Sequence, residues 1–150
     1  MIREPTVRPR IEGFLRAARA ALPAGQKLGV AGFCWGGRYT ALACGGDAPL
    51  VDFGFTAHPS LLGVPAEVEA VAAPLSLANG DDDEWMRAPD LARVRAILEA
   101  ETKGGIHEVV VYEGATHGFA VRGDPKDPRQ AEFGLRAEDQ AVRWFQKQLA

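Results

Sequence analysis

The hexapeptide Gly32-Phe33-Cys34-Trp35-Gly36-Gly37 restricts the fold more than any other stretch, because it joins an apolar run, Leu28-Gly29-Val30-Ala31, to a segment with helical character. A strand, a sharp turn and a helix with cysteine at the apex would hold Cys34 in strained backbone geometry and present its side chain above the carboxyl end of a sheet. Glycines on both sides suit that turn, since a Cβ there would collide with the neighbouring strand or helix. The pattern is G-x-S-x-G with sulfur in place of oxygen, and it makes Cys34 a candidate nucleophile.

The rest of the chain supplies the elements such a turn needs. Ile11, Phe14, Leu15, Ala18 and Leu22 are spaced as the apolar stripe of a helix over residues 7–22, which Pro23 and Gly25 end. Lys27 to Phe33 reads as a strand and Gly36 to Cys44 as the helix behind the turn, closed by Gly45-Gly46. Leu50–Ala57, Pro74–Ala78 and His107–Tyr112 read as further strands, with a short helix over 65–71 and another from Pro89 to the Gly104-Gly105 stop. A loop containing Gly114, Gly118, Gly123, Pro125 and Pro128 follows. The terminal helix over 131–149 would turn Phe133, Ala137, Ala141, Trp144, Phe145 and Leu149 inward. Alternating strands and helices imply an α/β fold, with about four parallel strands between helical layers. With 150 residues and neither repeat nor low-complexity linker, the expectation is a single domain over residues 1–150.

Composition narrows the function classes. The formal charge is −3, and no segment concentrates lysine and arginine with interleaved aromatics, so nucleic acid is not an expected partner. No apolar run reaches membrane-spanning length and Met1–Pro5 has no secretory h-region, which makes cytoplasm the expected location, without a membrane. Cys34 and Cys44 would lie about 15 Å apart along one turn-and-helix unit, too far for a disulfide. His58, His107 and His117 are scattered, so no metal site is expected and no cofactor is implied.

In a parallel sheet catalytic groups gather on loops at the carboxyl ends of strands. Cys34 follows the first strand, Asp81-Asp82-Asp83-Glu84 the third and His117 the fourth, so all belong to one rim. A helix N-terminus stabilises a thiolate, and an imidazole can take its proton. His117 suits that base. His58, in Ala57-His58-Pro59-Ser60, also follows a strand and competes with it, whereas His107 at a strand start reads as solvated. A base histidine needs a carboxylate to fix its tautomer, and only one of the four acidic residues need face it. Nucleophile, acid and base then stand in the chain order of α/β-hydrolases. Cys44, inside a helix, reads as a buried apolar residue.

GFCWGG, then HPS, then the acidic loop ending at Asp83, then YEGATHGFAVRGDP together resemble the dienelactone hydrolase family of α/β-hydrolases over essentially the whole chain. The resemblance implies Cys34 as nucleophile, His117 as base and Asp83 as acid, with Asp81 and Asp82 as alternatives. It also implies the Trp35 backbone N–H as an oxyanion donor and Arg122 as a candidate for holding a substrate carboxylate. Its substrates are small molecules: lactones or small carboxylic esters, hydrolysed through an acyl-thiolate, the best-known class being a carboxylate-bearing dienelactone. Members of the family are longer and carry strands ahead of the turn, one of whose loops gives a second oxyanion N–H, together with a glutamate and an arginine at the site. Loss of one such donor typically costs about 100-fold to 1000-fold in turnover. Without those strands the 27–33 strand is an edge, and self-association through it is expected.

Two rival readings differ in kind. One is a non-catalytic remnant of the fold serving as an interaction module. The other is a class I glutamine amidotransferase-like protein, whose catalytic histidine is followed two positions later by glutamate; here His117 precedes Gly118-Phe119 and His58 precedes Pro59-Ser60.

Overall fold

Four β-rich runs pair in chain order in the computed structural model, which describes residues 4–150. The strands are β1 (Gly29–Phe33), β2 (Phe53–Ala57), β3 (Leu75–Asp82) and β4 (Glu108–Thr116), every adjacent pair parallel. The helices are α1 (Glu4–Ala21), α2 (Trp35–Ala43), the short α3 (Ala66–Glu69), α4 (Ala88–Leu98), the short α5 (Phe119–Arg122) and α6 (Pro128–Leu149). Among the described residues no helix is long and apolar enough to cross a membrane.

The strand order dictates the layers. Parallel crossovers are right-handed, so strands laid down in one direction, β1 to β4, put their connecting helices α2, α3 and α4 on one face. There Ala41, Cys44, Val68, Leu91, Val94 and Leu98 pack on Leu75 and Leu77, with Leu15 of α1. α6 follows the last strand and covers the opposite face, where Phe133, Ala137 and Trp144 meet Phe53, Phe55, Ala78 and Tyr112. The period-2 alternation of β2 accomplishes the division: Phe53, Phe55 and Ala57 belong to the α6 side, while Gly54 lies against Cys44 and Thr40 of α2. Burial of each large apolar side chain contributes about 1.5–3 kcal/mol.

Several element boundaries differ from expectation for physical reasons. β2 starts at Phe53, not Leu50; just before it the Asp52 carboxylate accepts the Leu28 N–H and the Arg19 guanidinium, each at 2.6 Å, so the Leu28 N–H bonds a side chain and not a backbone carbonyl of a ladder. β3 runs on through Gly80-Asp81-Asp82, and β4 on to Thr116, because Gly80 lets the strand lie against the Ala115 carbonyl where a Cβ would clash. The acidic run is therefore half strand and half loop. The loop before α6 holds α5, and α6 begins at Pro128, capped by the Asp127 carboxylate accepting the N–H groups of Arg129 and Gln130.

Three side chains also depart from expectation, and a fourth, Gln140, had none. Phe14 is 70 % exposed and Leu149 lies outside the core, since α1 buries chiefly Leu15 and α6 ends beyond the sheet. Gln140, a polar residue, is buried in the α6 face. His107 is not a solvated residue. It is half-buried, its Nδ1 accepts the Leu75 N–H at 3.2 Å, and burial, with Lys103 adding to it, pulls its pKa down to about 4.

Candidate active site

Cys34 occupies the junction of β1 and α2 with φ 51° and ψ −122°, a conformation that L-residues other than glycine rarely adopt. The turn around it holds that geometry. The Cys34 N–H donates to the Ala57 carbonyl at 3.3 Å, and its own carbonyl accepts the N–H groups of Gly37 and Ser60 at 3.0 and 2.9 Å. A Cβ at Gly32 would run into Thr40 and the Gly36 carbonyl, and one at Gly37 into Thr56 and Pro59, yet Gly36 faces open space. The glycine that the second half of the turn requires is therefore Gly37, not Gly36. Trp35 is the first residue of α2, so helix geometry leaves its N–H without an intrahelical acceptor.

The loops after β3 and β4 converge on this point. Asp83 is 2 % exposed; its Oδ1 accepts the Trp85 N–H at 2.8 Å, and both its oxygens lie 3.0–3.1 Å from His117 Nδ1. Asp81 instead turns its carboxylate to the Gly114 N–H at 2.6 Å, and Asp82 is exposed. Of the three aspartates, Asp83 is the one paired with a histidine. Among the described residues the sulfur of Cys34 has two hydrogen-bonding neighbours, His58 Nδ1 at 3.4 Å and Arg122 Nη2 at 3.5 Å. Donor atoms of Cys34, His58 and His117 all lie within 4.8 Å of one another. His58 and His117, far apart in sequence, are thus neighbours in space, while His107 lies outside the group.

His58 is fully buried at φ 39°, between the rings of Phe33, Phe119 and His117, and its Nε2 is buried without a hydrogen-bond partner. Burial, with the like charge His117 would carry, pulls its pKa down to about 4, so it is a neutral, weak base at neutral pH. Burial pushes the Cys44 thiol up to about 12. Above Cys34 opens a pocket of about 570 Å³ bordered by Trp35, Ser60, Glu84, Trp85, His117 and Arg122. The sequence gives no role to Trp85, whose ring lies 6.1 Å from that of His117 and which directly follows the acidic run; Ser60 stands in the HPS motif without a role of its own there.

A four-stranded parallel sheet between helical layers, with a strained cysteine after its first strand and an Asp–His pair at the same rim, defines a protein of the α/β-hydrolase type. Within that class the chain belongs to the dienelactone hydrolase family, whose family model matches residues 4–149. It is 32% identical over 147 residues to hydrolase tropI of Talaromyces stipitatus, covering 96% of this chain and 54% of that protein. It is 28% identical over 145 residues to hydrolase pyvD of Aspergillus violaceofuscus, covering 97% and 57%. The chain thus spans a little over half the length of these relatives. A solved structure of a putative dienelactone hydrolase from Klebsiella pneumoniae shares the fold with a TM-score of 0.72 at 22% identity, over 94% of this chain and 60% of that one.

Proposed function

We propose that this chain carries the acyl-transfer site of a hydrolase for lactones or small carboxylic esters, with Cys34 as nucleophile, His117 as base and Asp83 as the acid that orients it. The observation that carries the reading is the pairing of a strained apical cysteine with a buried Asp83–His117 pair on the same rim. With Nδ1–H held by Asp83, His117 keeps Nε2 free to take the thiol proton while sulfur attacks the ester carbonyl. The developing oxyanion is met by the Trp35 N–H at the start of α2, where the helix dipole adds to the attraction. Collapse breaks the C–O bond, His117 returns its proton to the leaving alkoxide, and water then cleaves the acyl-thiolate by the reverse proton path.

Arg122 borders the pocket with Nη2 3.5 Å from the sulfur, which supports a role in holding a carboxylate on the substrate. His58 touches the sulfur more closely, but it has no carboxylate partner among the described residues and protonates only near pH 4, which fits it poorly for the base. An activated aryl acetate should give a burst of one phenolate per chain. Cys34→Ala should abolish the burst, and His117→Ala should slow it by at least 100-fold. Equal, slow alkylation of Cys34 and Cys44 by iodoacetamide with no burst would favour the non-catalytic reading.

A further inference from the structure

We propose that Cys34, His58 and His117 form a binding site for a thiophilic divalent cation, zinc in the first instance, which occupies the sulfur reversibly and excludes substrate. The three donors, one sulfur and two imidazoles, already lie within 4.8 Å of one another and come from three different loops, so the sheet rim holds them together and no single flexible segment does. In a tetrahedral site with Zn–S near 2.3 Å and Zn–N near 2.0 Å, such donors stand roughly 3.3–3.6 Å apart. Cys34 and His58 are at that separation already, at 3.4 Å, and His117, within 4.8 Å of both, needs to close by no more than roughly 1.5 Å.

Surrounding groups fit the same assignment. Asp83 accepts from His117 Nδ1, the carboxylate–histidine arrangement that orients a metal-bound imidazole and raises its basicity. His58 has Nδ1 on the sulfur side, so as a ligand it would keep its hydrogen on Nε2, which is buried without a partner among the described residues. Cys34 and His117 both border the pocket of about 570 Å³, which leaves room for a water as a fourth ligand. Binding replaces the thiol proton, released to solvent, with the metal, so the step is neither redox nor dependent on another reactant. One cation stands against it. The Arg122 guanidinium beside the sulfur must swing away, which its exposed side chain permits.

Binding is read independently of turnover, so the inference holds or fails apart from the ester-hydrolase reading. Titration of the reduced 150-residue chain with Co²⁺ should give one equivalent with a thiolate-to-metal charge-transfer absorption, which Zn²⁺ displaces and Cys34→Ser removes. His58→Gln should weaken Zn²⁺ binding at least fivefold in competition with a chromophoric chelator. Arg122→Ala should tighten it. Should His58→Gln fail to fold by circular dichroism, His117→Asn serves the same comparison. Absence of the charge-transfer band, or a folded histidine variant with affinity changed less than fivefold, overturns the proposal.

Discussion

At Cys34 the chain holds a backbone conformation that typically costs about 1–3 kcal/mol in a residue with a Cβ, and the surrounding turn must over-determine it. The two carbonyl-directed N–H groups from Gly37 and Ser60 do part of this, and close packing does the rest. The glycines of the turn therefore differ in what they tolerate. Gly36 is helical and open where a Cβ would project, so Gly36→Ala should be neutral or stabilising by up to about 1 kcal/mol through helix propensity. Gly37→Ala meets Thr56 and the Pro59 Cβ, and displacing Pro59 would move His58 beside the sulfur. It should cost about 1–3 kcal/mol. Thermal unfolding should show Gly36→Ala at or above the wild-type midpoint and Gly37→Ala several degrees below it. The reverse order would refute this account of the turn, in which the sequence pattern pointed to Gly36 and packing selects Gly37.

Among the elements, α6 is held to the sheet by more than its apolar stripe. Gln140 accepts from the Tyr112 hydroxyl of β4 at 2.8 Å and donates to the Ser76 hydroxyl of β3 at 2.9 Å, while Ser76 also bonds Glu108 at 3.0 Å. Gln140→Leu would leave the Tyr112 hydroxyl buried without its acceptor, at a cost of about 1–3 kcal/mol. Adding Tyr112→Phe should return part of that loss, a coupling that equilibrium denaturation of the single and double variants measures. Independent, additive losses would show that the hydroxyl is satisfied elsewhere.

This network also shows what a sequence makes legible. Four strands, the α6 helix and the cysteine apex follow from apolar period and glycine placement, because each is a local pattern. Gln140 does not, since a lone polar residue on an apolar stripe is explained only by Tyr112 and Ser76, which lie 28 and 64 positions away. For the same reason the contact of His58 with Cys34 was visible only as one of two candidates. Adjacency of β1 and β2 puts their terminal loops together, and that is a fact of sheet order. The extension of β3 beyond Ala78 into the acidic run depends on Gly80 as a close-approach residue against β4, which only the pairing of the two strands reveals.

At the scale of the whole molecule, β1 has β2 on one side and no strand on the other among the described residues. The exposed flank of the sheet continues into a groove of about 590 Å³ on the α6 face, bordered by Phe33, Phe55, Phe119, Val121, Leu135 and Val142. Leu135, 64 % exposed, Val121 and Val142 present apolar surface to solvent there. An unpaired edge beside an apolar groove is a template for a further chain, and the occupant we expect is a second copy pairing β1 with β1 in the antiparallel sense a twofold axis imposes. Sedimentation should then show mass rising with concentration over the micromolar range. Val142→Lys and Leu135→Lys change exposed positions, so the fold should survive, and each should shift association toward the monomer by at least tenfold. A chain that stays monomeric at about 100 µM, or lysine variants that associate as wild type does, would remove β1 and its groove as the contact.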